Sequence, residues 1–503
     1  MKRILIASPV RKPPQILAEH LRSLETLDTG GFDVGYIFLD DNDDRESSDL
    51  LLRFCASRPA TVLKRNKPLG TYVCDERTHF WRSELILGVA NAKNMFLKHA
   101  LDHGYDGIFL IDADLVLHPK TLRHLASLEK DIVAEVFWTA WQPSTPCLPN
   151  AWLTDDYTLY ERHPDEALDE AAQRTRTRVF LNRMRDGGAH RVGGLGACTL
   201  VSAAALRRGV SFQPIHNLSL WGEDRWFCVR AAVLGLELWA DTRFPPLHLY
   251  RDDDVHRVPR FWKRVEAGYD EQPKLTLSML VRNEADRYLR DALLLHRRFI
   301  DEAVIVDDGS TDGTVDVVHE CLADIPHHIH RSDDVSFQRD ESAIRRRQWD
   351  LTLTHEPDWI LNLDADEIFE DRAVRDFRAL LFRRDVHVYG FPLFDMWSAT
   401  HYRDDAQWTA HTRYFPMLTR YTPDFQYSWS SNRLHCGRFP SNLGELSGAG
   451  ADLRIRHYGW ARPEDRVAKH KRYLDIDPDC TFGDRAQMDS ILDPAPRLVP
   501  WRP

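Results

Sequence analysis

The chain has 503 residues and a mass of 58.4 kDa, enough for two or three domains at roughly 100 to 200 residues each. Hydrophobic residues make up 43% and charged residues 28%, a balance that excludes a disordered or fibrous chain. A formal charge of -11 gives no general attraction to nucleic acid or anionic lipid, so there is no strong nucleic-acid signal and only a local basic groove stays open.

The opening MKRILIASPVRKPP carries a basic pair and a short apolar run. Arg11 and Lys12 follow at once, with no small-residue cleavage site, so it reads as a first strand. Apolar runs at Ile4 to Ala7, Val34 to Leu39 and Ile108 to Ile111 alternate with helical stretches at Ile16 to Leu27 and Leu85 to Leu101. That alternation is β/α. Thr154 to His190, rich in Arg, Asp and Glu, reads either as a surface insertion near the active face or as a solvated helix. The polar segment RDDDVHRVPRFWKRVEAGYDEQPK then sets a boundary close to Gln272, dividing 1–272 from 273–503. Beyond it the grammar restarts, with strands at Leu275 to Val281, Ala303 to Val306 and Trp359 to Leu363 and helices near Ala285 to Arg298 and Ala343 to Leu353. Each half gives a strand, a helix, a strand ending in paired aspartates, a helix, and a strand ending in D-x-D. The expectation is two tandem α/β domains with Rossmann-like, mostly parallel sheets. No apolar run approaches the roughly 20 residues that span a bilayer. The eight cysteines (Cys55, Cys74, Cys147, Cys198, Cys228, Cys321, Cys436, Cys480) have no C-x-x-C spacing, which argues against a zinc knuckle or a disulfide scaffold and for a reducing cytoplasmic setting, in solution or at the inner face of a membrane.

Acid-x-acid triplets recur by chance in so acidic a chain, so position carries the signal. GIFLIDADLVLHP sets Asp112 and Asp114 at the end of an apolar strand, and WILNLDADEIFE does the same for Asp364 and Asp366. Ligands of open α/β sheets bind beyond the carboxyl ends of the strands. Two carboxylates at period two share one side of the chain and repel unless a cation bridges them, and a hard divalent ion needs such oxygens. The competing reading is a helix-capping acid followed by a surface acid. YIFLDDNDD places Asp40 and Asp41, and AVIVDDGSTDGT places Asp307 and Asp308, ahead of turns where they could accept hydrogen bonds from a pyrimidine imide or a ribose hydroxyl. In the second version Gly309 and Gly313 permit a tight turn, and Ser310, Thr311 and Asp312 can cap the next helix. Aromatic residues in FWTAW, FDMWSATHY and FQYSWSSNR suit either sugar stacking or core packing.

The second half, with LSMLVRNEADRYL, VIVDDGSTDGT, LNLDADE and RIRHYGWARPEDRVAKHKRYLDIDP, resembles the family 2 glycosyltransferases of GT-A fold from about Leu275 to Pro478. The first half resembles the same superfamily more distantly through ASPVRKP, FLDDND, NAKNMFLKHAL, FLIDADLVLHP, VGGLGACTLVSAAAL and WGEDRWFCVRAAVLGLELWAD. The resemblance implies an enzyme that takes a nucleotide-activated sugar, UDP- or GDP-linked, and Mn2+ or Mg2+, and transfers the sugar to a hydroxyl of a glycan, lipid carrier, protein or other acceptor. By the same resemblance Asp41 and Asp308 contact the nucleoside, with Asp40 and Asp307 beside them. Asp112 with Asp114, and Asp364 with Asp366, form metal sites, to which His248 in PPLHLY and His457 in IRHYGW are late additions. Lys93 and Arg339 or Arg345 fall where a basic residue faces the diphosphate; each is otherwise a solvated helix charge. In WGEDRWF, Asp224 is the expected general base of an inverting transfer, with Glu223 as its neighbour, the other reading being a helix N-cap. The second half lacks that motif, and Cys436 stands in SSNRLHCGRFP where an acid is expected, so its base stays open among Asp395, Glu367 and His435. Two other readings remain: one half as a degenerate binding or scaffolding module, and a nucleotidyltransferase, which no glycine-rich basic loop supports.

Overall fold

A computed structural model describes residues 1–65, 73–74, 79–143, 145–154, 156–163, 165–218, 222–268, 272–332, 340–430, 437–476 and 484–502. The chain divides into two compact units, Met1–Ala267 with Asp424–Gln426, and Gly268–Pro423 with Tyr427–Pro503. No helix of the described residues is long and apolar enough to cross a membrane. Cys55, Cys147, Cys198, Cys228 and Cys321 are free thiols.

The first unit is built on the strands β1 (Lys2–Val10), β2 (Phe32–Asp40), β3 (Ala60–Lys64), β4 (Gly107–Leu110), β5 (Leu115–Val116), β6 (Ile132–Glu135), β7 (Ala189–Val192), β8 (Thr199–Ser202), β9 (Leu238–Asp241) and β10 (Leu247–His248). Its eight-stranded sheet runs β3-β2-β1-β4-β8-β6-β9-β7. Continuous apolar runs such as ILIA in β1 form because both faces of the sheet are covered. Leu5, Ala7, Ile37 and Leu39 pack on one face with Phe96 and Leu97 of helix α2 (Ser83–Asp102). Ile4, Ile6 and Phe38 pack on the other with Leu17, Leu21 and Leu24 of helix α1 (Pro14–Glu25). The charged segment after Thr154 contains α3 (Glu170–Arg183), capped by Asp169, whose carboxylate accepts from the Ala172 N–H at 2.7 Å. Helix α4 (Glu223–Val233) follows Gly222.

The second unit holds β11 (Leu275–Val281), β12 (Glu302–Asp307), β13 (His327–Arg331), β14 (Trp359–Asp364), β15 (Glu367–Phe369), β16 (Val388–Asp395), β17 (Tyr414–Arg420) and β18 (Ile455–His457), ordered β13-β12-β11-β14-β17-β16-β18-β15, with Gly448–Gly450 also pairing on β16. Its helices include α5 (Leu289–His296), α6 (Thr314–Cys321), α7 (Glu341–Leu353) and α8 (Pro463–Ile476). Reading each sheet in the order given, both pair as three parallel contacts, two antiparallel, one parallel and one antiparallel. Helix α5 starts at Leu289 rather than near Ala285, because Asn283 adopts φ 53° and residues 285–288 form a turn.

Parallel register brings the motif ends together within each unit. Val10 lies beside Asp40 and Ala7 beside Leu110, two residues before Asp112. Val281 lies beside Asp307 and Leu280 beside Asp364. Phe109 in β4 has no exposed surface, so Phe109→Ala should lower stability by about 3 to 5 kcal/mol, whereas Val233→Ala, at a position 82% exposed, should change it by less than about 0.5 kcal/mol. Urea denaturation of the full chain, followed for the transition each change shifts, checks both.

Candidate active sites

In the first unit, Asp112 and Asp114 follow β4 at the carboxyl edge of the sheet. Lys12, from the turn after β1, places its Nζ 2.6 Å from Asp114 Oδ2, and His248 Nε2 lies 3.4 Å from the same oxygen. Burial opposes ionisation of Asp114, but Lys12 and His248 together hold it well below the usual carboxylate range. Its Oδ1 is buried and has no hydrogen-bond partner among the described residues. His248 is set by backbone pairing: β10 runs antiparallel to β5 with His248 opposite Leu115, and the Leu249 N–H donates to the Asp114 carbonyl at 2.9 Å. Thr139 Oγ1, 2.8 Å from His248 Nδ1, occupies the other ring nitrogen and leaves Nε2 toward Asp114.

Lys93 on α2 is 3% exposed and reaches Glu223 Oε1 at 2.6 Å and Asp224 Oδ1 at 2.9 Å, with Asp112 as a further charged neighbour. Expected toward a diphosphate, it is committed to these carboxylates. Asp224 is the second residue of α4 and the N-cap is Gly222, so the capping reading of Asp224 does not hold: Gly222, at φ 149°, takes a backbone conformation that suits glycine. The helix N-terminus does not leave Asp224 an ordinary acid either. Burial raises it to about 7, Glu223 and Asp112 add to the rise, and Lys93 opposes it. Asp224 also helps push the Tyr157 phenol up, after burial, which places a residue of the charged insertion beside it.

Asp40 Oδ1 accepts from Asn42 Nδ2 at 2.9 Å and Ser48 Oγ at 3.0 Å, while Asp41 pairs with Arg65 Nε at 3.1 Å; burial still raises Asp41. Beside this edge lies a cavity of about 500 Å3 whose lining includes Arg11, Lys12, Pro13, Asp43, His79 and Tyr250.

The second unit repeats the key pairing. His457 stands opposite Glu367 across the antiparallel β15–β18 pair, the residue after the second D-x-D aspartate as in the first unit, and the Tyr458 N–H donates to the Asp366 carbonyl at 2.8 Å. His457 Nδ1 contacts Asp395 Oδ1 at 2.8 Å and Nε2 faces Asp366 Oδ2 at 3.8 Å, with Lys469 Nζ of α8 at 3.9 Å from that oxygen. A Cβ at Gly459 would run into Lys469 Nζ, His457 Nε2 and Asp366 Oδ2, so the glycine leaves the space where these groups converge. Burial lowers His457, but Asp366 and Asp395 outweigh it and raise the ring.

Arg345 on α7 reaches Asp364 Oδ1 at 2.9 Å, and Arg438 lies 3.6 Å from its Oδ2. These cations overcome burial and hold Asp364 far below the carboxylate range. Arg339, His435 and Cys436 lie outside the described residues. Of the other base candidates, Glu367 is clamped by Arg438 through 2.6 and 2.9 Å bonds, and Asp395 Oδ1 pairs with His457 Nδ1 at 2.8 Å. Asp307 Oδ1 accepts from the Ser310 N–H at 3.0 Å, and Asp308 is buried beside it. Ser310 and Thr311 do not cap α6: the Ser310 hydroxyl accepts from the Asn283 N–H at 2.9 Å and the Thr311 N–H donates to Asn283 Oδ1 at 2.8 Å, while Asp312 alone accepts from the Thr314 N–H. That tie positions Glu284, which burial and Asp366 raise to about 7 against Arg287. Sequence reading missed Lys12, Tyr157, Glu284, Arg438 and Lys469, whose signals are single charged or aromatic residues in ASPVRKP, DDYTLY, VRNEA, HCGRFP and AKHKRY.

Residues 279–437 match the profile described as Glycosyl transferase family 2, and this segment belongs to that family. Most of the matched segment lies in the second unit. The chain is also 27% identical over 228 residues to uncharacterized proteins of Mycobacterium tuberculosis (strain H37Rv) and Mycobacterium bovis, with 43% of this chain and 54% of each relative aligned. It spans about half the length of these curated relatives. Among solved structures it is similar to S. aureus TarS 1–349, at 16% identity and TM-score 0.27 over 44% of this chain and 69% of that one. It is also similar to the mannosyltransferase PcManGT of Pyrobaculum calidifontis in complex with GDP-Man and Mn2+, at 12% identity and TM-score 0.27 over 48% and 56%.

The raised Asp224 makes a stability prediction. The folded state holds an extra proton between the ordinary carboxylate range and about pH 7, so the stabilising contribution of Asp224 is full at low pH and is lost as pH rises through about 7. Relative to the native chain, Asp224→Asn should therefore gain stability between about pH 4 and 7 and level off above. Melting curves of both proteins across that range check the sign.

Proposed function

We propose that the protein is a metal-dependent, inverting glycosyltransferase that moves a sugar from a nucleoside diphosphate-sugar, UDP- or GDP-linked, to an acceptor hydroxyl of a glycan, lipid carrier, protein or other molecule. In this reading residues 1–272 and 273–503 are tandem GT-A domains, each with a site. The observation that carries it is the matched pairing of a late histidine, ring nitrogen inward, on the second aspartate of D-x-D in both sheets. The donor sets suit a divalent ion: carboxylate oxygens with one imidazole, an orphaned buried Asp114 oxygen, and the space kept open by Gly459. Asp112, Asp114 and His248 would hold Mn2+ or Mg2+ in the first unit, and Asp364, Asp366 and His457 in the second. When bound, such an ion would offset the negative charge that builds on the departing nucleoside diphosphate.

The chain's own groups do the remainder. Asp40 with Asp41, and Asp307 with Asp308, stand at strand ends to receive the nucleoside. Arg345, and Arg339 beyond the described residues, would favour the anionic diphosphate end. Asp224 accepts the acceptor hydroxyl proton at its carboxylate as the hydroxyl oxygen attacks, and a carboxylate near pH 7 suits that work. Lys93 keeps the charge compensated and Glu223 positions Lys93. A second reading has support in the engagement of Glu367 and Asp395: the second unit binds donor while transfer occurs in the first.

Nucleoside diphosphate release by the full chain, with Asp112→Asn and Asp364→Asn made singly and together, separates these readings. Two working sites predict partial loss in each single variant and full loss in the double, and chelation should stop both. Full loss from one single variant selects a single catalytic unit. Turnover undiminished by chelator and by both changes removes the metal assignment. Asp224→Asn in the Asp364→Asn background should lower transfer about a hundredfold or more while donor affinity stays within a few fold. Equal loss of donor binding would make Asp224 a ligand, with Glu223 the next candidate.

A further inference from the structure

A second cluster of ligating side chains lies at the other end of the parallel strands of the second unit. Glu302 opens β12, whose last residue is the proposed donor-binding Asp307; five steps at about 3.3 Å each put the two about 16 Å apart along the strand. His328 follows on the neighbouring strand β13, and His355 ends the turn after α7. His328 Nε2 lies 3.2 Å and His355 Nδ1 3.8 Å from one oxygen, Glu302 Oε1, and a nitrogen of each ring and that oxygen all fall within 4.8 Å of one another. The imidazoles stack with centroids 3.8 Å apart.

Glu302 is held for this geometry. Its Oε2 takes Lys274 Nζ at 2.8 Å and Thr276 Oγ1 at 3.4 Å, which turns Oε1 toward the two rings. Lys274 in turn donates to the His355 carbonyl at 2.6 Å and fixes the turn that carries that histidine. His330 stands two residues beyond His328 on the same face of β13, its ring 5.9 Å from His355, and its buried Nε2 has no hydrogen-bond partner among the described residues.

The geometry points to a second metal site, formed by Glu302, His328 and His355 with His330 as the nearest fourth ligand, that takes a borderline divalent ion of the Zn2+ type and is separate from the D-x-D sites. Ligands about 2.0 to 2.2 Å from a tetrahedral ion stand about 3.4 Å from one another, close to the spacings already present. Two imidazoles with one carboxylate select Zn2+ or Co2+ over Mg2+, which prefers all-oxygen shells. The ion would clip the first residues of β12 and β13 to the end of α7, the helix that carries Arg345 to Asp364. Its role is to brace the sheet, because the cluster lies at the amino ends of the strands, away from the ligand edge.

The test uses the full chain stripped of metal, with excess Mg2+ present to cover the D-x-D carboxylates, and titrates Zn2+ by calorimetry and Co2+ by visible absorption. The expected result is one equivalent bound tightly, a cobalt spectrum of low-coordinate imidazole type, and a higher melting temperature with Zn2+. His328→Ala, whose side chain is already 43% exposed, and His355→Ala should each weaken that equivalent at least tenfold. Asp114→Asn with Asp364→Asn should leave it intact. Glu302→Gln, which keeps shape, provides a check if either alanine variant melts abnormally without metal. Affinity and stoichiometry unchanged in His328→Ala, His355→Ala and Glu302→Gln, or a cobalt signal that disappears with the D-x-D changes, would overturn the assignment.

Discussion

The repulsion among carboxylates crowded at the ends of parallel strands is the constraint on which both units are built. Register delivers Asp40, Asp41, Asp112 and Asp114 to one edge, and Asp307, Asp308, Asp364 and Asp366 to the corresponding edge of the other sheet. Burial there penalises each charge, so the fold surrounds them with cations. Lys12, Lys93 and Arg65 serve the first unit; Arg345, Arg438 and Lys469 serve the second. In four of these six pairs at least one partner is buried, while Arg65–Asp41 and Lys469–Asp366 keep partial exposure on both sides.

The two edges resolve the same problem differently. In the first, one lysine is shared by Glu223 and Asp224 with Asp112 nearby, and burial, with the neighbouring Glu223 and Asp112 charges, raises Asp224 against Lys93. In the second, two arginines bracket Asp364 and drive it strongly acidic, while the nearest raised acid is Glu284, on a different loop. A raised acid on α4 in the first unit and a strongly acidic aspartate at the end of β14 in the second thus arise through different partners. The histidines show the same economy: each has one ring nitrogen occupied by a neighbour, Thr139 or Asp395, and the other turned inward.

The amino ends of the same strands carry a different chemistry. Histidines alternate along β13 because a period-two strand puts His328 and His330 on one face, and the turn after α7 returns His355 to them. Oxygen-rich and imidazole-rich groups therefore sit at opposite ends of one sheet. On the two proposed metal assignments, this separation would sort a hard ion from a borderline ion by ligand type.

The sequence by itself determined the β/α alternation and the strand-end placement of the paired aspartates and D-x-D, because apolar periodicity and flanking turns are local properties of the chain. Thus β11 runs from Leu275 to Val281 as its apolar run indicates, and β14 ends on the first D-x-D aspartate. Tertiary structure alone decided which charges meet. Lys12 is 102 residues from Asp114 in sequence, Lys93 130 from Glu223 and Asp395 62 from His457, and no local pattern encodes those partners. It also decided that Gly222 and not Asp224 ends the loop before α4, that Ser310 and Thr311 bind Asn283 instead of capping α6, and that Glu367 belongs to Arg438. In each case the choice depends on how much water remains around a polar group after packing, and that is fixed only when distant segments close over it.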